Sequence, residues 1–385
     1  MDNKEQVRRG HSCASDPRQA VKEFAAAVSK PAMELVIFFC SGEYDLHVLA
    51  AEMDKSFSGV QVIGCTTAGE IGPAGYREHS LCGASFAAGS FNAAIGCIEF
   101  VRHFEIGGGR DFVHKLLHDL KLRAPQASAE NSFAVQLIDG LSVREEPVTR
   151  VFQQALGKRT LVGGSAGDGL RFKKTRVYFG GRFRTDSVAL ALVTTTLPFK
   201  SFMTQHFVAT ERRVVVTDAD VGRRMVRELD GRPAAEAYAE LVGVEAGDLD
   251  PMRFAASPMV VVIGGVSYVR SISKAEADGS LKFYCAIDKG MVLRVARGVD
   301  LFGKLEDAIA DIRADIGEPQ LILGFDCILR RLEVAQHGLV DRVAELLRNN
   351  RTVGFATYGE QYQGVHVNQT FTGIAVGSAP QATDG

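Results

Sequence analysis

Apolar and polar positions along the chain follow two periods. Ala20, Phe24, Ala27 and Val28 fall on one helical face behind Asp16-Pro17, where proline at the first helical position has no N–H bond to lose. Behind Glu34, residues 35–40 are apolar without a break, which with the length of the stretch predicts a buried strand. Ser41 is placed to cap a helix with Leu46, Leu49, Ala50, Met53 and Phe57 on one side. Residues 60–65 predict the next strand, and 80–87 with 91–100 predict an antiparallel hairpin about Gly89-Ser90. Helical spacing returns at 112–120 and behind the capping-box pattern Ser142-Val-Arg-Glu145.

The second half mixes strand patterns near 188–196, 201–208, 212–217, 258–263, 266–272, 281–287 and 291–296 with helical ones near 233–242, 300–315 and 338–348. Strands come mostly in adjacent pairs, with helices as occasional crossovers. That predicts an α+β fold of mixed, largely antiparallel sheets packed as a sandwich with flanking helices. The expected organisation is an N-terminal segment with a short helix (1–32), then two tightly associated halves with internal repeats, 33–225 and 226–380.

Composition narrows this. Glycine supplies 40 of 385 residues, which argues against a helical bundle and for many turns and close backbone approaches. Lys and Arg total 44 against 46 acids, so a dedicated nucleic-acid binder is not expected, and the paired basic residues at 8–9, 173–174, 212–213, 223–224 and 330–331 read as solvated faces. The apolar runs are too short to span a membrane. Residues 1–11 do not resemble a secretion signal, and His11 among them reads as part of a flexible tail. Seven cysteines in no metal or redox spacing read as reduced thiols in a cytoplasmic protein.

One pattern recurs three times: a short strand, a small-residue turn between two glycines, then an acid. The copies are Val62-Ile-Gly-Cys-Thr-Thr-Ala-Gly-Glu70, Leu161-Val-Gly-Gly-Ser-Ala-Gly-Asp168 and Val353-Gly-Phe-Ala-Thr-Tyr-Gly-Glu360. These turns are expected to line one pocket rim. Gly64, Thr66, Gly69 and Glu70 come from the first, Gly163, Ser165 and Asp168 from the second, and Thr357, Gly359 and Glu360 from the third, with Asn368 beside it. The alternative is that the glycines pack the turns and the acids cap them. No P-loop, nucleophile elbow or HExxH occurs.

Together with Glu228-Leu-Asp-Gly-Arg-Pro-Ala-Ala235, Tyr238 and Asn368-Gln-Thr370, these stretches resemble the FIST sensory domain, N- and C-terminal parts, from about 33 to 377. The resemblance implies a ligand-sensing module rather than an enzyme. It looks closest to the NosP branch of stand-alone FIST proteins, which bind haem, sense nitric oxide and act in trans on a histidine kinase, diguanylate cyclase or phosphodiesterase, and so on biofilm behaviour. On that reading the cofactor is haem b. The other reading is a FIST sensor of an organic molecule such as an amino acid, without haem. A homo-oligomer is compatible with either.

Haem needs an axial ligand, usually a neutral His whose other nitrogen is held by a hydrogen bond. His206 lies among Phe202, Met203 and Phe207 near the expected join of the halves, so His206 is the first candidate, with Met203 and Phe207 as haem contacts. A hydrogen-bonded core histidine is the alternative. His366 alternates with Asn368, Thr370 and Thr372 on a polar strand face, and is the second. His79 and His103 rank below them. His114 and His118, spaced i, i+4, lack an evident third ligand and read as a solvated face.

Overall fold

A computed structural model describes residues 5–378. The fold is mixed α+β, with largely antiparallel sheets flanked by helices. The sequence repeat organises most of it, because the chain builds three sheets to one design. In each, a central parallel pair is bordered by antiparallel strands. The pairs are Met33–Ser41 with Gln61–Thr67, Ser132–Ile138 with Thr160–Ser165, and Pro319–Cys327 with Thr352–Thr357. Strands buried on both faces need unbroken apolar runs, which is how 35–40 reads.

Each sheet is completed by a hairpin from another unit. Glu70–Gly72 and Gly75–Arg77, of the first unit, extend the third sheet. Val177–Phe179 and Arg182–Arg184, of the second, extend the first. Glu360–Tyr362 and Val365–Val367, of the third, extend the second. The exchange closes into a cycle. The inner faces share one core, in which Phe39 of the first unit meets Phe355 and Phe325 of the third with ring centroids 4.6 and 6.3 Å apart. The outer faces are covered by helices, among them Pro17–Val28 and Leu46–Ser56 on the first, Ile106–Arg123 and Glu145–Leu156 on the second, and Leu301–Ile316 on the third.

Between Phe199–Thr204 and Leu301–Ile316 the chain inserts an eight-stranded antiparallel sheet with its own core, including Val216, Leu229, Tyr238, Phe254 and Leu293. The expected join at 225/226 lies in strand Met225–Leu229, whose partners Phe207–Asp220 and Leu281–Phe283 come from both sides of it.

Four local expectations are corrected. Leu81–Ala87 and Phe91–Glu99 form no hairpin: the first pairs in the first sheet, the second with Ser187–Thr195 in the second sheet. Gly89, at φ +90°, carries the chain from one sheet to the other. The cap of Leu46–Ser56 is Asp45, which accepts from the His47 and Val48 N–H groups, not Ser41. Ser142 accepts from Arg144 N–H, so no capping box forms ahead of Glu145–Leu156. His11 is not in a tail: Val7–Ser12 is an edge strand paired with Leu81–Phe86.

Candidate functional site

The three Gly-acid turns meet. Ala68 N–H donates to Ala356 O at 2.9 Å, Gly167 N–H to Thr66 O at 2.9 Å, and Tyr358 N–H to Ser165 O at 3.1 Å. These equivalent bonds form a closed ring, one from each unit to another. A β-carbon on Gly167 would stand 2.7 Å from Ala68 N, so only glycine permits that approach. Most of the residues expected on a rim build this ring from inside. Gly64 packs on Phe38, and Gly163 on Gln136 O. Thr66 Oγ1 accepts from Arg176 N–H, and Ser165 Oγ from Gln361. Gly359, at φ +145°, lies against His366, and Asn368 is buried with Oδ1 unpartnered.

Glu70 and Glu360 occupy equivalent, fully buried places. Glu70 bonds Thr67 Oγ1 and accepts from Ser80 N–H at 3.1 Å and Ser80 Oγ–H at 2.6 Å. Glu360 bonds Thr357 Oγ1 and accepts from the N–H and hydroxyl of Thr370. Burial pushes their carboxyls up to about 7 and about 8, against the pull of those hydrogen bonds. When Glu70 is protonated it donates to Thr67, whose own hydroxyl then turns to Cys40 O.

Asp168 departs from the pattern. The position opposite Cys65 in the first sheet, equivalent to Glu70 and Glu360, holds Val177. The intervening segment loops out, and Asp168 anchors it by accepting from Lys173 and Lys174 N–H at 3.0 and 2.8 Å. In the second unit the buried carboxylate that bonds a threonine hydroxyl, as Glu70 and Glu360 do, is Asp139, on Thr175 Oγ1 and Asp186 N–H.

Beside the first turn opens a cavity of about 530 Å³. Thr67, Gly69, Glu70 and Asp168 line it, so three of the residues expected on a rim reach a ligand-sized space. Its other polar wall carries three guanidiniums, Arg77, Arg171 and Arg331, and two further carboxylates, Glu43 and Glu78. Arg331 donates to Ala68 O and pairs with Glu78 at 3.0 Å, while Arg171 donates to Asp168 O and pairs with Glu43 at 3.0 Å. Both keep N–H groups to spare. The opposite wall is apolar, from Ile328, Leu332, Val334 and Ala335 of helix Ile328–Gln336.

The pairs at 330–331 and 223–224 therefore do more than solvate a face: Arg224 is buried on Glu145 and Glu146. Arg330 is fully buried against Asp326 at 2.8 Å, and Arg331 holds the first turn. The sequence signal was weak, because the helix that carries both arginines is short and its apolar residues are interrupted by them.

The residues chosen for haem do not converge on this space. His206 is buried, its Nε2 held by Glu333 at 2.7 Å and its ring 4.1 Å from that of Phe207, and strand neighbour Met203 pairs with Thr372. His366 is held neutral by burial, its imidazolium pushed down to about 4. Gln361 donates to His366 Nδ1, so the proton sits on Nε2, which has no partner. Neither histidine lines the cavity, and its wall of alternating charges is a poor seat for a porphyrin plane. The histidine that does line it is His79, in the left-handed conformation with Nδ1 on Glu43. Among the described residues no three His, Cys, Asp or Glu side chains are placed to hold a metal ion, and no helix is long and apolar enough to cross a membrane.

Family models describe the same chain in two parts. The FIST N domain model matches residues 34–232, and the FIST C domain model matches 234–363. The chain belongs to the FIST family. FIST domains are sensory domains that bind small ligands in signalling. No curated protein matches the sequence. Among solved structures the FIST chain is similar to "Cyanuric acid hydrolase: evolutionary innovation by structural concatenation", at 9% identity and a TM-score of 0.37, over 96% of this chain and 99% of that one. So distant a likeness says nothing about activity here.

Proposed function

We propose that this FIST protein is a sensor, without catalytic activity of its own, for a small organic molecule bearing both an acidic and a basic group, such as an amino acid, bound beside the first turn. The observation that carries the reading is the wall of the 530 Å³ cavity, where three guanidiniums face Glu43, Glu78 and Asp168 while burial pushes the Glu70 carboxyl up to about 7, so that it is neutral below that pH. A balanced wall of this kind favours a zwitterion over an ion of one sign. The apolar side of helix Ile328–Gln336 would take the ligand's side chain. Ligand would join that helix to the first turn, and so favour one of two arrangements of the third unit against the first. The output is regulation in trans of a signalling enzyme, a histidine kinase or a cyclic-di-GMP enzyme.

A thermal-shift screen of amino acids tests this. One compound should stabilise the protein in proportion to its saturation. Arg331→Ala should weaken it about ten-fold or more, the worth of a charge-assisted hydrogen bond. If no amino acid shifts the midpoint, the reading is wrong. A haem titration separates the nitric oxide reading. A Soret band lost in His79→Ala, the one histidine on the cavity wall, would favour haem instead.

A further inference from the structure

A second recess, of about 850 Å³, lies between the three-unit body and the inserted sheet and shares no lining residue with the first cavity. One wall is aromatic. The Phe172 ring stacks on Tyr358 with centroids 4.3 Å and planes 18° apart, and Tyr284 of the inserted region stands 6.3 Å from Phe172. Phe172 remains 39% exposed and sits at φ +51°, a conformation that bulky side chains rarely adopt. Its N–H donates to Tyr358 Oη, and the same hydroxyl bonds the Asp168 carboxylate. The chain thus holds an exposed ring, in a strained conformation, against the side of the cleft. Strain of this kind persists where surrounding bonds enforce it, and it concentrates at binding sites.

Among the described residues, one cation beside that ring is free to meet a ligand. Arg224 is buried, gives one nitrogen to Glu145 at 2.6 Å and Glu146 at 2.8 Å and another to Tyr284 O, and keeps Nε without a partner. The Lys282 ammonium has no carboxylate partner among the described residues. The one acid on the wall, Glu276, is already paired with Lys274 at 2.9 Å. An exposed flat ring beside one unpaired ammonium recognises a flat ring with a negative substituent. A neutral arene would leave Lys282 unanswered, and an aliphatic anion would leave Phe172 bare.

We propose that this cleft is a second ligand site, for a planar aromatic anion stacked on Phe172 with its acidic group toward Lys282. The site does not depend on the first cavity, so failure of amino-acid binding there would leave this inference standing. Calorimetric titration of the full chain with 2-naphthoate, 2-naphthalenemethanol and cyclohexanecarboxylate tests it. Naphthoate should bind saturably, and each of the other two about ten-fold or more weakly. Lys282→Glu changes an exposed side chain and should keep the unfolding midpoint, Phe172→Ala gives up only the stack on Tyr358 and should stay folded, and each should weaken naphthoate about ten-fold. Arg331→Ala, in the first cavity, should leave it unchanged. Absence of saturable heat, equal binding of the three probes, or naphthoate binding indifferent to both cleft variants would overturn the proposal.

Discussion

At the scale of single residues, the two equivalent acids Glu70 and Glu360 make a prediction that ordinary surface carboxylates do not. Their carboxyls titrate about 7 and about 8 in the folded chain, above the ordinary 4.5, so the folded state holds the proton longer than the unfolded one. Their contribution to stability is complete below pH 4.5 and is lost as pH rises through 7 and 8. His366 acts in the opposite sense. Its imidazole is held near 4 rather than 6.5, so its contribution is lost as pH falls below 6.5. Melting temperatures measured from pH 5 to pH 9 should fall up to about pH 8 and level off above it. The double variant Glu70→Gln, Glu360→Gln, which keeps neutral partners for Thr67, Ser80, Thr357 and Thr370, should flatten that fall. An unchanged slope between pH 5 and about 8 would mean that the acids are not held protonated. The glycine-acid spacing was legible in the sequence for these two residues because they follow the second glycine directly. It also put Asp168 on the rim, where Asp168 lines the cavity, but it did not show that a looped-out segment keeps the same local spelling while moving this acid out of the strand.

At the scale of elements, the exchanged hairpins decide what holds the units together. Tyr76, on the hairpin that the first unit gives to the third sheet, bonds Asp326 of the third unit, and the same carboxylate carries Arg330 at 2.8 Å. All three side chains are buried. Removing the shared carboxylate strands a guanidinium and a phenol together. Asp326→Ala should therefore cost about 3–5 kcal/mol in denaturant unfolding. Asp326→Asn keeps a hydrogen-bond acceptor for Tyr76 and should cost less; equal losses in the two variants would show that the charge is immaterial. Most strands and long helices could be read from periodicity, since each has one period over enough residues. The hairpin exchange could not. A strand of three residues carries no period of its own, and pairing between units separated by hundreds of residues leaves no local trace. The false hairpin at 80–100 has the same origin: two adjacent β runs look alike whether the turn folds them together or sends them to different sheets.

At the scale of the whole molecule, the ring of turns and the cycle of hairpins make the three-unit body one cooperative structure, while the inserted sheet has a core of its own. Native-state hydrogen exchange should show Ala68, Gly167 and Tyr358 N–H, which close the ring, among the slowest amides and with similar opening energies. Ring amides that exchange at clearly different rates would mean that the units open separately. The three-copy pattern in the sequence foreshadowed the ring. It did not foreshadow the cavity beside it, because Arg331, Arg171 and Glu43 belong to no repeat and meet only through folding. The cavity is the centre of the account, and a crystal structure of the protein with the amino acid that stabilises it most tests it directly. The account predicts density between the first turn and helix Ile328–Gln336, with the ligand carboxylate on Arg331 or Arg171 and its ammonium on Glu43, Glu78 or Asp168. A cavity left empty while the compound sits elsewhere on the chain would contradict it.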